Sequence, residues 1–301
     1  MDKPTVGFIG LGVMGGRMAR NVFKAGYPLV AYDLRKEATK DFVEMGAQAA
    51  ETPREVAEKS NIIMMSLPNP DIVRTVVLGK NGVLEGAKKG SAVIEFSTID
   101  PATMREIAAE GKQKGVDMLG APVGGTSKEA EEGKLLIWIS GNKECFKNCE
   151  DVISKMGKSV YCGEDPGTSK AIKLVNNLMA IGNLMVGIEA FALGVKMGVD
   201  PGFLFDVVNQ TGARSASFQA KYPKVIDRSF EEVTFALSLA TKDAKLAIAM
   251  AGENQVPVPI ASSFFNMCMA TIALGYGQED LTAVAKLYEG WTGVSAGSGK
   301  K

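Results

Sequence analysis

The stretch Gly10-Leu11-Gly12-Val13-Met14-Gly15 constrains this chain most, because of what stands on either side of it. Thr5 to Ile9 (TVGFI) reads as a buried strand, and the residues after Gly15 read as a helix running through Lys24. A lone G-x-G-x-x-G says little. Set between a strand and a helix it is a phosphate-binding turn, whose glycines permit the tight reversal and let a pyrophosphate approach the helix N-terminus. A second strand, Leu29 to Tyr32, ends at Asp33, about 20 residues beyond the glycines, where a carboxylate is placed to hydrogen-bond the ribose hydroxyls of a dinucleotide. Asp33 favours NAD, because it repels the 2′-phosphate of NADP. Arg35 leaves NADP open, since a guanidinium accommodates that phosphate. The plainer alternative for both is a surface turn whose charges have no consequence.

Strand and helix go on alternating. A helix near Pro53 to Glu58 is followed by a strand Asn61 to Leu67, a helix after Pro70, a strand Ala92 to Phe96, a helix Pro101 to Lys114 and a strand Val116 to Leu119. This spacing predicts parallel pairing through right-handed crossovers, an α/β chain with a Rossmann-type doubly wound sheet. Loops after strand C-termini face the ligand in such sheets, which puts Leu67-Pro68-Asn69 and Ser97-Thr98 along a cofactor crevice. Either loop also serves as a helix N-cap. The glycine-rich loop that follows contains Gly124, Gly125, Thr126 and Ser127. It offers backbone N–H groups and two hydroxyls to a small carboxylate, or else it is a plain connection. Strands Lys134 to Ile139 and Ser159 to Cys162 close a dinucleotide-binding domain over residues 1–163.

Beyond that point the pattern is helical throughout, so residues 164–301 read as an all-α domain for substrate and oligomer contacts. It opens on one long helix, about residues 167–197, with Pro166 and Thr168 as start signals, Gly198 as the stop and no proline between them. Lys173, Asn176 and Asn177 stand at i, i+3 and i+4 on it, so one face carries an amine and two amides. Either these are a solvated lysine and two asparagines bonded to a neighbouring loop, or they line a pocket in which a partly desolvated ammonium trades a proton with a substrate. The charge-poor run from Leu174 to Ile188 contains asparagines and glycines and reads as a buried inter-domain helix rather than a bilayer span. Its far face calls for a second copy, a homodimer or homotetramer. Phe235 to Ala251, Ala261 to Leu274 and Leu281 to Trp291 read as further helices, Gly275 to Asp280 as a turn, and Gly293 to Lys301 as a mobile polar tail.

Composition removes whole classes of chemistry. The 301 residues carry no net charge, so neither a nucleic acid nor an anionic membrane is the expected partner. There is no histidine, which excludes imidazole as base, triad member or metal ligand and leaves proton transfer to Lys, Tyr, Cys or a carboxylate. The four cysteines have neither zinc-ligand nor dense disulfide spacing, so no metal is expected and they read as reduced thiols of a cytoplasmic protein. The apolar run after Pro4 is too short and too Gly-rich for a secretory h-region.

Six short motifs occur in order: FIGLGVMG at Phe8 to Gly15, SLPN at Ser66 to Asn69, FST at Phe96 to Thr98, APVGG at Ala121 to Gly125, KLVNN at Lys173 to Asn177, and Lys242-Asp243. Together they resemble the β-hydroxyacid dehydrogenases. That group includes 3-hydroxyisobutyrate dehydrogenase and tartronate semialdehyde, glyoxylate and succinic semialdehyde reductases, and is related to 6-phosphogluconate dehydrogenase. The resemblance spans nearly the whole chain. It implies a Rossmann domain, a long inter-domain helix and an all-helical C-terminal domain, with the active site in the cleft between them. By the same resemblance Lys173 matches the catalytic lysine and Asn177 a substrate-binding asparagine. Gly124, Gly125 and Thr126 fall on a Ser-Gly-Gly substrate loop, Lys242 on a lysine near the cofactor, and Leu67, Asn69 and Thr98 on cofactor contacts.

One departure stands out: Gly124 takes the place of the usual serine, and the hydroxyls move on to Thr126 and Ser127. This loop is similar to that of sulfolactaldehyde reductases, which carry an arginine where this chain has Gly125, so a sulfonate substrate is the alternative. Arg214, in TGARSAS, is a candidate clamp for a carboxylate or sulfonate, or else a surface charge. The expected chemistry is hydride exchange between NAD and a short 3-hydroxyacid or semialdehyde, with Lys173 as general acid and base and Asn177 orienting the substrate. A catalytically inactive NAD-binding module is the rival, and it would be expected to have lost Lys173. An imine reductase or a decarboxylating phosphogluconate-type enzyme is another; the latter needs basic residues for a phosphate and a longer C-terminal domain.

Overall fold

The structure, a computed structural model, describes residues 3–297. Its elements begin with β1 (Val6–Ile9), α1 (Gly15–Lys24), β2 (Leu29–Tyr32), α2 (Glu37–Glu44), β3 (Gln48–Ala49), α3 (Pro53–Lys59), β4 (Ile62–Met65), α4 (Pro70–Leu78), α5 (Val83–Gly86), β5 (Ala92–Glu95), α6 (Pro101–Gln113) and β6 (Asp117–Gly120). β7 (Val123–Gly124), α7 (Ser127–Glu131), β8 (Leu135–Ile139), α8 (Lys143–Ser154) and β9 (Gly157–Tyr161) follow, and then the long α9 (Thr168–Lys196). After it come α10 (Pro201–Val208), α11 (Ala216–Lys221), α12 (Pro223–Asp227), α13 (Leu237–Glu253), α14 (Pro259–Thr271) and α15 (Val284–Thr292). The chain packs into two compact units, Met1–Lys173 and Leu174–Lys301, with the division inside α9.

In the first unit six strands form one parallel sheet in the order β3-β2-β1-β4-β5-β6, which is the doubly wound Rossmann order. The strands read as unbroken apolar runs because both faces are covered. Val6, Phe8, Met64 and Ile94 point into one core, while Ile9, Ile63, Met65 and Val93 point into the other, the two-residue period of a strand. A second sheet, β7-β8-β9, pairs β8 with β9 in parallel but β7 with β8 antiparallel, and an isolated antiparallel bridge joins Gly120 to Ser140. The Gly120 to Ser127 segment therefore contains a two-residue strand, because a chain leaving β6 can fold back and satisfy its backbone groups against β8.

The second unit is helical. Ile181, Leu184, Ile188 and Phe191 of α9 pack with Phe218, Tyr222, Leu237, Phe264, Cys268 and Tyr288 in one core. The tail expected to be mobile is held over its first five residues. Ala296 is buried, its N–H donates to Glu289 Oε1 (3.0 Å), and Arg228 donates both to that carboxylate (2.6 Å) and to Ser295 Oγ (2.8 Å). The remainder of that tail, residues 298–301, lies outside the described residues.

Candidate active site

Within the first unit, packing explains two of the three glycines in the turn after β1. Gly10 has φ +88°, and a Cβ there would lie 2.3 Å from the Ser66 carbonyl. A Cβ on Gly15 would lie 2.0 Å from the Gly10 carbonyl, so the start of α1 closes onto the turn only without a side chain. A Cβ on Gly12 would meet nothing within 4 Å. Two glycines are thus demanded by packing and the middle one by nothing in the protein, leaving open the face on which a pyrophosphate would rest at the helix N-terminus. The residues fit a dinucleotide.

Asp33, at the end of β2, accepts from the Leu11 N–H (2.8 Å) and from the N–H and Nε of Arg35 (2.9 and 3.3 Å), tying the glycine turn to the next loop. Burial pushes its carboxyl up, but these two backbone donors and the guanidinium outweigh it and hold it below the usual carboxylate range. Val13 is exposed and Met14 half-buried. A cleft of about 700 Å³ runs beside the turn, lined by Gly12, Val13, Arg17, Arg20, Lys24 and Arg35 among others.

At the neighbouring strand ends the Leu67 N–H donates to Ser97 Oγ (2.7 Å), joining the loops after β4 and β5. Asn69 is the N-cap of α4, its Oδ1 accepting from the Ile72 N–H (2.9 Å), with Pro70 as the first helical residue. Pro68 is exposed beside it. Neither Ser97 nor Thr98 caps a helix. Asp100 takes that role for α6, accepting from the Thr103 N–H (2.7 Å), and leaves Ser97 and Thr98 at the strand end.

Gly124 pairs with Leu136 of β8, and a Cβ on it would lie 2.8 Å from the Trp138 ring. The indole occupies the space a serine side chain would need. Gly125, at φ +126°, is exposed, and the Thr126 N–H donates to the Glu129 carboxylate (2.6 Å) where α7 begins at Ser127. One N–H of the expected anion nest is therefore engaged by the protein's own carboxylate. The Lys173 ammonium lies 6.0 Å from the Trp138 ring centroid, a cation–π distance, and Lys173 is half-buried.

One turn earlier on α9, Lys170 is fully buried in an ion pair with Glu95 (2.5 Å). The sequence reading passed over both, although a charge inside the apolar run AVIEF is a legible signal, since a carboxylate inside a sheet needs a partner. Trp138 was missed because LLIWI reads as an ordinary core strand.

In the second unit Asn177 is buried, and its Nδ2 donates to Asp243 Oδ2 (2.7 Å) while its Oδ1 accepts from Asn176 Nδ2 (3.1 Å). Lys242 Nζ lies 3.1 Å from Asp243 Oδ1. Asp243 therefore orients Asn177, which bonds to α13 and to Asn176 rather than to a loop. Arg214 is exposed between α10 and α11.

Comparison with known proteins gives consistent matches. Residues 5–163 match the family model described as the NAD binding domain of 6-phosphogluconate dehydrogenase, and residues 167–288 match the one described as NAD-binding of NADP-dependent 3-hydroxyisobutyrate dehydrogenase. The chain is 38% identical over 295 residues to 2-(hydroxymethyl)glutarate dehydrogenase of Eubacterium barkeri, covering 98% of each. It is 35% identical to the mitochondrial 3-hydroxyisobutyrate dehydrogenase of Bos taurus, over 94% of this chain and 86% of that one. Among solved structures, 3-hydroxyisobutyrate dehydrogenase from Salmonella typhimurium superposes with a TM-score of 0.84 at 31% identity, covering 95% of this chain and 100% of the other.

Proposed function

Since the chain belongs to the β-hydroxyacid dehydrogenase family, and is an NAD(P)-dependent hydroxyacid dehydrogenase, we propose that its substrate is a short 3-hydroxyacid or the matching semialdehyde and that Lys173 moves the proton. The placement of Lys173 carries this reading: half-buried, its ammonium lies 6.0 Å from the centre of the Trp138 ring, and that ring closes over Gly124 of the glycine-rich loop. The chemistry that a nicotinamide would supply there, when bound, is hydride exchange with the substrate carbon. In reduction the Lys173 ammonium gives a proton to the carbonyl oxygen, which becomes the hydroxyl. In oxidation the neutral amine removes that proton. The hydroxyls of Thr126 and Ser127 bind the acid end of the substrate.

Asp33 supports NAD as the preferred cofactor. Its carboxyl is held below the usual carboxylate range, and a negative charge at the end of β2 disfavours a 2′-phosphate, so NADH is expected to bind more tightly than NADPH. The exposed apolar side chains Val175, Met179, Val186, Leu193 and Met197, which repeat along α9 and just past it, support a homo-oligomer.

Absorbance at 340 nm tests the substrate class. NADH with succinic semialdehyde, glyoxylate, tartronate semialdehyde or sulfolactaldehyde, and NAD with 3-hydroxyisobutyrate, are followed with enzyme present and absent. Turnover of a carboxylic acid substrate supports the reading. Turnover of the sulfonate alone moves the assignment to a sulfolactaldehyde-type reductase, and no turnover with any of them removes it.

A further inference from the structure

Lys170 lies outside the mechanism, yet it is the most deeply committed charge on α9. Its side chain and that of Glu95 are both 0% exposed. The ammonium donates to Glu95 Oε2 (2.5 Å), to the Glu95 carbonyl (2.7 Å) and to the Ser97 carbonyl (2.9 Å). The other carboxylate oxygen, Oε1, accepts from the Ser97 N–H (2.8 Å), and Ser97 Oγ accepts from the Leu67 N–H (2.7 Å). A continuous chain of hydrogen bonds thus runs from the first turn of α9, through the end of β5, to the end of β4. The same turn is fixed a second time, by Ser140 Oγ, which donates to the Pro166 carbonyl and accepts from the Ser169 N–H.

Stability alone does not account for such a pair. Replacing a buried ion pair by apolar side chains of similar size is commonly neutral or better, whereas removing one partner strands a charge. A hydrophobic pair in the same place would fill the core but would leave nothing to hold the Ser97 carbonyl and N–H together, and these set where Ser97 Oγ points. We propose that Lys170 and Glu95 are positioning residues for the dinucleotide site. Through Ser97 they fix the Leu67–Asn69 and Ser97–Thr98 loops in the conformation that receives the cofactor, and they anchor the turn of α9 that precedes Lys173. This rests on the assignment of those two loops to the cofactor crevice.

The test compares the parent with the double variant Lys170→Met/Glu95→Leu, which removes both charges, and with Ser97→Ala, which breaks the chain at its last link and leaves the ion pair in place. Three quantities are read: the thermal midpoint, the Kd for NADH by fluorescence titration, and hydrogen exchange of the peptide containing Leu67 without cofactor. The expected result is a double variant with a midpoint close to the parent's, faster exchange at Leu67 and a Kd for NADH raised about tenfold, with Ser97→Ala raising it in the same direction. Should the double variant fail to fold, Ser97→Ala carries the same reading. Unchanged Leu67 exchange and unchanged NADH affinity in Ser97→Ala, or in a folded double variant, overturn the proposal. Faster exchange at Leu67 with unchanged NADH affinity refutes the cofactor-crevice assignment of the loops and leaves the anchoring standing.

Discussion

Gly124 is a residue whose identity is decided by one neighbour. The Trp138 ring lies where a side chain on residue 124 would go, so Gly124→Ser forces the indole or the strand to move. The expected cost is about 1–3 kcal/mol in urea denaturation, and Gly124→Ser combined with Trp138→Leu is expected to recover most of it. Equal stability of the parent and the single variant contradicts that contact. The glycine turn makes a sharper pair of predictions. Gly15→Ala puts a Cβ against a backbone carbonyl and lowers the thermal midpoint, while Gly12→Val, pointing into open space, keeps the midpoint within a few degrees and weakens NADH binding more than about tenfold. At this scale the sequence exposed the residues whose role is local. Asp33, which ties the glycine turn to the next loop, follows from its distance to the glycines. Glu95, Lys170 and Trp138 act through partners 75 and 35 residues away, and no spacing along the chain encodes those distances.

The elements divide in the same way. Strands β1, β2, β4 and β5 were legible to within two residues because each is a short apolar run buried on both faces and bounded by turn residues. The long helix was legible because nothing interrupts it. The two-residue strands β3 and β7 were not, since each exists only through its pairing with a neighbour. The three short helices between residues 201 and 227 are fixed mainly by their packing around Phe218 and Tyr222. A single buried carboxylate holds the connection that follows. Asp280 accepts from the N–H and hydroxyl of Thr234, from the Phe235 N–H and from Thr282 N–H, with Lys221 3.5 Å away. Burial pushes its pKa up, but the Lys221 charge and the Thr234 and Phe235 donors bring it below the usual carboxylate range. Because the folded value lies below the unfolded one, this contribution is complete above about pH 4 and is lost as pH falls through the folded value. Asp280→Ala is expected to cost about 3–5 kcal/mol at neutral pH and to flatten the acid limb of a stability–pH profile. An unchanged acid limb refutes the assignment.

The whole molecule leaves an apolar row uncovered. Val186 and Leu193 are 64% and 66% exposed on a helix whose hydropathy and length would also suit a membrane, and the proposed homo-oligomer would cover them. Val186→Glu with Leu193→Glu is expected to shift light-scattering mass toward the 31.9 kDa of one chain, and a parent that is already monomeric refutes the oligomer. The proposed activity, too, is read at the scale of the whole chain, and it turns on whether Lys173 carries the proton. The most direct measurement is steady-state turnover of Lys173→Ala at 340 nm beside an NADH titration of the same variant. NADH affinity is expected within about twofold of the parent's and turnover at least ~100-fold lower, the loss expected of a general acid. Turnover close to the parent's in a variant that binds NADH normally would take Lys173 out of the reaction.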